Sequence, residues 1–334
     1  MSALRILASA VALLAVIGAV LFADVFALRS LALPDALQNF VTVFLGIFIE
    51  AAPFLLLGSL TSGFIAEFVS PEDMARFFPR NKALNALSGA LMGLAFPVCE
   101  CGAVPVVRRL YRKGLPISAG IAFLLAAPVI NPIVLASTYA AFGFGPVLWS
   151  RLVLTVGIAF AIGLVIGTQP SLVRLLAPRT FAPIMGGSME MSLPQRTLTG
   201  RVQSALAAAV DDFLDMGRFL VLGSLLAAGL QSFVPQQALI SIGRDPLSSV
   251  VALQALAFVL SVCSTVDSFL ALSFVNTFTT GSIIAFLVFG PMIDLKSSVM
   301  YWTVFRPRVV IYVLMLSFLF TLLAGVFINL NLPW

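Results

Sequence analysis

The sequence predicts an all-α polytopic membrane protein made of two inverted repeats, each with a re-entrant hairpin and a proline-broken helix. Three observations carry that expectation: the hydropathy of the chain, four sequence blocks that recur at a near-constant offset, and the placement of Lys and Arg between apolar runs.

Of the 334 residues, 60% are hydrophobic and 10% charged, and the mean hydropathy is +1.10. A soluble domain is nearer half apolar and a quarter charged. No globular core hides this much apolar surface, so lipid is the expected solvent. A spanning helix needs about 20 mostly apolar residues. Such runs fall near 6–28, 40–69, 83–107, 115–142, 146–167, 205–234, 248–278, 282–305 and 309–330.

The first run has Arg5 ahead of it and small residues, Ala23 and Ala27, at its end, like a signal peptide. It is long for one, and another run soon follows, so residues 1–37 are expected to be an extra, retained N-terminal transmembrane helix. Residues 38–168 and 204–334 are the expected repeats. Between them, 169–203 reads as a basic cytoplasmic linker, with Arg174, Arg179, Arg196 and Arg201 against Glu190, and with Pro170, Pro178, Pro183 and Pro194.

The repeat is visible in the residues. Phe54-Leu55-Leu56-Leu57-Gly58-Ser59-Leu60 matches Phe219-Leu220-Val221-Leu222-Gly223-Ser224-Leu225 at an offset of 165, which aligns Glu50 with Asp215. Val98-Cys99 matches Val262-Cys263 at 164. Ile121-Ala122-Phe123-Leu124 matches Ile284-Ala285-Phe286-Leu287 at 163, as Pro128 matches Pro291 and Asn131 matches Asp294. Shared membrane composition would not align the acids and the cysteine.

Lys and Arg accumulate on the cytoplasmic side of a membrane. Arg76, Arg80 and Lys82 precede the third run, and Arg108, Arg109, Arg112 and Lys113 follow it. A simple crossing would leave one cluster outside. A segment that enters and turns back at 97–102 keeps both inside. The N-terminus, the linker, Arg306 and Arg308 are then cytoplasmic, each repeat has an odd number of crossings, and the second is inverted. Inverted repeats with broken segments are characteristic of secondary transporters, which hold substrate near the midplane.

The strongest local feature is Phe96-Pro97-Val98-Cys99-Glu100-Cys101-Gly102-Ala103-Val104-Pro105. Two prolines and a glycine preclude a regular helix across it. Non-helical backbone at membrane depth survives only inside protein or beside a water-filled cavity. Cys99 and Cys101 form a soft ligand pair, with Cys263 at the symmetric place, suited to soft ions and trivalent arsenicals. The alternative is that these buried cysteines are small hydrophobes. The odd cysteine count in apolar surroundings argues against a disulfide framework.

The stretch from Pro97-Val98-Cys99-Glu100-Cys101-Gly102 through Gly114-Leu115-Pro116 to Phe123-Leu124-Leu125-Ala126-Ala127-Pro128-Val129-Ile130-Asn131-Pro132 resembles a bacterial, YraQ-like predicted-permease family. That family includes the ArsP-type efflux permeases for trivalent organoarsenicals. The likeness is sharpest over 90–145 and implies an inner-membrane permease. Its Pro-x-Cys-x-Cys-Gly element is shared across the family and does not choose among substrates. The second half departs from it: in Cys263-Ser264-Thr265 a threonine stands where the second thiol would be, which excludes a four-thiol site.

Ala127-Pro128-Val129-Ile130-Asn131-Pro132 and its counterpart Gly290-Pro291-Met292-Ile293-Asp294-Leu295-Lys296 break both repeats at one place. The freed carbonyls, with Asn131 and Asp294, are candidate substrate ligands; a plain proline kink is the alternative. Charge also lies within the runs: Glu50, Glu100, Asp211, Asp212, Asp215, Arg218, Asp267, Asp294 and Lys296. A central charge costs at least about 2.5–3.5 kcal/mol, so it faces the bundle interior. With no histidine in the chain, Glu50 and Asp215 are the candidate proton carriers, although Asp215 could pair with Arg218 three residues on. Gly58-x-x-x-Ser62 and Ser59-x-x-x-Gly63 read as helix packing.

There is no Walker loop, nucleophile–histidine pair or dinucleotide fingerprint. No enzyme, no cofactor and no nucleic-acid partner are expected. The expected partners are the bilayer, a small-molecule or metalloid substrate and, left open, a second copy of the chain. The expected function is a secondary permease exporting a small thiol-reactive solute by proton antiport. The competing readings are a permease for another solute or a soft metal ion, a channel, and an intramembrane thiol oxidoreductase.

Overall fold

In the computed structural model, residues 35–78, 81–96, 98–168, 176–177, 198–233 and 246–331 are described. Residues 1–34 of the expected N-terminal helix (1–37), Pro97 and most of the expected linker (169–203) lie outside them; residues 35–37 open a helix that runs on to Phe68, and residues 198–203 are the first turns of another. The chain divides into residues 1–42 and 43–334. Of the first unit only the helical stretch from Asp35 is described, where Thr42 Oγ1 donates to the Gln38 carbonyl. Everything below concerns the second unit.

The described residues are helical, with no strand among them. The elements are α1 (Asp35–Phe68), α2 (Pro71–Phe77), α3 (Lys82–Met92), α4 (Glu100–Arg112), α5 (Ile117–Ile130), α6 (Pro132–Phe142) and α7 (Pro146–Gly167), then α8 (Leu198–Phe233), α9 (Pro246–Leu260), α10 (Asp267–Leu272), α11 (Thr280–Met292), α12 (Leu295–Tyr301) and α13 (Pro307–Asn331). In lipid every backbone polar group must be satisfied internally, which is why apolar runs of this length become helices. Six stretches among the described residues are long and apolar enough to cross a membrane: Leu37–Phe68, Ile117–Phe142, Pro146–Gly167, Leu198–Ser232, Thr280–Tyr301 and Pro307–Asn331. This is a multi-pass membrane protein.

The element order repeats. Moving the first set along by the sequence offset lays α1 on α8, α3 on α9, α5 on α11, α6 on α12 and α7 on α13. Both proline breaks form alike. Pro128 and Pro291 sit near the ends of α5 and α11. Each deprives the carbonyl four residues back of its donor. The next helix then restarts on a side-chain cap: Asn131 Oδ1 accepts from Val134 N at 2.9 Å, and Asp294 Oδ1 accepts from Ser297 N at 2.5 Å.

Burial is arranged for an apolar solvent. α5 is buried along its whole length, as is nearly all of α11, and these two fill the centre. On α13 the residues Ile311, Met315, Leu319, Leu323 and Phe327 recur every fourth position and are all exposed. The opposite face buries Val313, Ser317, Thr321 and Gly325. An exposed apolar stripe facing outward and hydroxyls facing inward is the inverse of a soluble helix.

Two glycines at the repeat offset back onto the broken segments. A Cβ on Gly58 would strike the Gly102 backbone, so α1 lies directly against α4. A Cβ on Gly223 would come 3.0 Å from Lys296 Cα, so α8 lies against α12. Small residues at such crossings let backbones approach where lipid offers no hydrophobic drive. Gly58 thus packs, as its spacing predicts.

Candidate functional site

The site is assembled from ends and breaks of helices. Chain 98–99 leads into α4 with Cys99 as its N-cap and Glu100 and Cys101 as its first residues. The segment after α9 holds Ser261 and Cys263, and Ser261 adopts the left-handed conformation (φ 47°). That conformation is uncommon for a residue with a side chain and marks a backbone held by its surroundings. α12 supplies Asp294 as its N-cap and Lys296 in its first turn.

Lys296 is the hub. It is 1% exposed. Its Nζ donates to Glu100 Oε1 at 3.0 Å and to the Ser261 carbonyl at 3.3 Å. Asp294 Oδ2 stands 3.8 Å away. The thiols of Cys101 and Cys263 also face the ammonium. Glu100 comes from the first half and Lys296 from the second, so this buried ion pair joins the two.

The thiols surround that pair. Cys99, Cys101 and Cys263 are free and buried. Cys99 and Cys101 are close enough to share a hydrogen bond. The Cys263 sulfur accepts from Thr265 Oγ1 at 3.6 Å. Glu50, from α1, receives the backbone N–H of Cys263 and faces both Lys296 and Glu100. Tyr301, whose hydroxyl donates to the Met292 carbonyl at 3.0 Å, faces Asp294 and Glu100. Three buried carboxylate oxygens here have no hydrogen-bond partner: Glu50 Oε1, Glu100 Oε2 and Asp294 Oδ2.

Of the residues singled out in the sequence, Cys99, Cys101, Cys263, Glu50 and Asp294 are thus brought together. Pro128 and Pro291 stand behind them as the helix breaks. Asn131 adjoins the site but is fully engaged: Nδ2 reaches the Val98 and Ala127 carbonyls at 3.2 and 3.3 Å, and Oδ1 caps α6. Asp215 is placed elsewhere. It pairs with Arg108 of α4 and with Arg218 on its own helix. Beside it Asp212 binds Arg109 at 3.1 Å and takes the Ser62 hydroxyl at 2.6 Å. Among the described residues no three His, Cys, Asp or Glu side chains gather closely enough to hold a metal ion.

This chain matches the family described as predicted permease, ArsP_1, over residues 36–330. The protein belongs to that permease family. It is 43% identical over 284 residues to the UPF0718 protein YcgR of Bacillus subtilis, covering 85% of this chain and 94% of the relative. It is 37% identical over 283 residues to a putative two-component membrane permease complex subunit of Streptococcus mutans, covering 84% of this chain and 91% of the relative. No solved structure matches it.

Within this permease, two groups of functional interest escaped the sequence reading of the site. Glu100 and Lys296 were visible as charges in apolar runs, and only the structure pairs them, across 196 positions of chain. Arg151 was not singled out at all. It is fully buried on α7 and binds Asp267 of α10 through two bonds, 2.6 Å from Nη2 and 3.1 Å from Nη1. Thr138 and Ser268 each take a further bond at 2.8 Å. The signal was available: an arginine inside a 22-residue apolar helix demands an acid partner from another run.

Proposed function

We propose that this protein is a secondary permease exporting a small thiol-reactive solute, such as a trivalent organoarsenical, through a site at Cys99, Cys101 and Cys263. The observation that carries the reading is the convergence of three buried thiols, a buried ion pair and two helix breaks where the halves meet. Soft electrophiles are held by sulfur donors. A trivalent arsenical with one organic substituent has two exchangeable positions, which the Cys99–Cys101 pair matches, with Cys263, which also faces Lys296, as a further donor.

Alternating access would arise from two inverted halves rocking around this point. The repeated order of elements supports a duplication. The lengths of α3 and α4, 11 and 13 residues, support the re-entrant hairpin: at 1.5 Å per residue each rises about 16–20 Å, short of a hydrocarbon core of about 30 Å. The basic residues flanking that hairpin support a cytoplasmic N-terminus and linker in a bacterial inner membrane. Proton antiport is the coupling proposed, and arsenical resistance the physiological role. The streptococcal relative is named as a subunit of a two-component complex, which supports a second subunit here, alongside a homo-oligomer.

A second reading has a specific observation behind it. Cys99, Cys101 and Cys263 are 3%, 0% and 2% exposed, which is also what packing cysteines look like. The two readings separate in everted membrane vesicles loaded from outside with a trivalent methylarsenical. Export by this site requires that Cys99→Ser and Cys101→Ser each abolish accumulation. Unchanged accumulation in both assigns the thiols to packing and another solute to the permease.

A further inference from the structure

The buried cluster around Lys296 does not balance its charges. Asp294 and Glu100 are each 1% exposed, and the charged groups facing Asp294 are Lys296 and Glu100. Of the fully buried acids, two therefore share one ammonium; Glu50, which also faces Lys296, is only half-buried. Lys296 favours Glu100, at 3.0 Å with a hydrogen bond, over Asp294, at 3.8 Å without one. Asp294 Oδ1 is used as the cap of α12, while Oδ2 has no hydrogen-bond partner. The start of α12 favours an anion by about 0.3–1 kcal/mol. A buried charge whose only counter-ion is 3.8 Å away and hydrogen-bonded to another acid costs more than that to keep, so the cap does not keep Asp294 ionised. Among the described residues the carboxylates do not converge as a metal site, and a proton is the group that neutralises the second acid.

We infer that Asp294 holds a proton in this structure, and that Lys296 is the switch that expels it by moving from Glu100 to Asp294. The move is a matter of side-chain reach, because the two acids already flank one ammonium. When Lys296 reaches Asp294, the Oδ2–H bond breaks and one proton leaves. Glu100, stripped of its counter-ion, takes up one proton at its carboxylate. One proton enters and one departs, so the buried charge never changes. Glu50, half-buried and facing both Lys296 and Glu100, is the group through which the proton passes. Cys101, Cys263 and Tyr301 also face the cluster. Coupling this exchange to a substrate rests on the permease reading above; the protonation of Asp294 does not.

The test is the infrared absorption of the full-length protein in lipid nanodiscs at neutral pH, where a protonated carboxyl gives a carbonyl band that shifts in D2O. The wild type is expected to show such a band, and Asp294→Asn to lose it. Glu100→Gln is expected to lose it as well, although Asp294 is intact, because Lys296 then pairs with Asp294. Lys296→Met is expected to keep it and add a second, from Glu100. A band that survives in Asp294→Asn, or that persists in Glu100→Gln, overturns the inference. Phenylarsine oxide exchange in proteoliposomes separates the two readings. Wild-type exchange of this probe should respond to an imposed pH gradient, and Asp294→Asn should lose that response. A wild type that does not carry the probe contradicts the permease reading for that class and leaves the infrared result standing.

Discussion

Lys296 Nζ lies 3.0 Å from Glu100 Oε1, and both side chains are 2% exposed. The pair ties the first turn of α12 to the first turn of α4, so the two halves of the permease are held together where a helix starts in each. Burying two charges is costly, and leaving one without the other is costlier.

The pair therefore predicts a non-additive cycle. Lys296→Met and Glu100→Gln should each lower the unfolding free energy, by less than the cost of an uncompensated buried charge, about 3–5 kcal/mol, because Glu100 takes a proton when Lys296 is lost and Lys296 turns to Asp294 when Glu100 is lost. The double variant should lose much less than the sum of the two single losses. Thermal unfolding in detergent measures this, and strict additivity would show that the two groups do not interact.

Arg151 and Asp267 form another buried bridge between the halves. With Arg151 fully buried and its partners Thr138 and Ser268 also buried, Arg151→Met leaves Asp267 as an unpaired charge. A loss of about 3–5 kcal/mol is expected, with partial recovery when Asp267→Asn is added. Melting temperatures of the single and double variants check it.

Gly58→Ala should reduce folded protein in the membrane, because the new Cβ meets the Gly102 backbone, which has no side chain to move aside. Gly46→Ala and Gly157→Ala, where a Cβ would meet nothing within 4 Å, should be neutral or stabilising by up to about 1 kcal/mol. Fluorescence-detected size-exclusion of tagged variants gives the comparison.

Much of the architecture was legible because its signals are local. Hydropathy marked the spans, and Pro128 and Pro291 marked the breaks. Gly58 and Gly223, aligned by the repeat, proved to be the close-approach points against Gly102 and Lys296. The site was legible where residue chemistry is rare: thiols and acids in apolar runs. What could not be read was partnership. Asp215 aligns with Glu50, yet it lies beside Arg108, a residue that loop charge assigned to a surface cluster. Lys296 stands two residues from Asp294 in sequence, yet its nearer partner is Glu100. Which acid meets which base depends on how helices from two halves cross, and a charge pattern along one chain carries no such information.

The account's central claim is that Cys99, Cys101 and Cys263 meet the substrate. The direct measurement is alkylation of each thiol by N-ethylmaleimide in native membranes, read by mass spectrometry, with and without a trivalent methylarsenical. The account predicts that all three, although buried in this structure, become labelled as the halves move, and that the arsenical blocks labelling of Cys99 and Cys101. Labelling that is absent from all three thiols, or that proceeds unchanged in the presence of the arsenical, would contradict it.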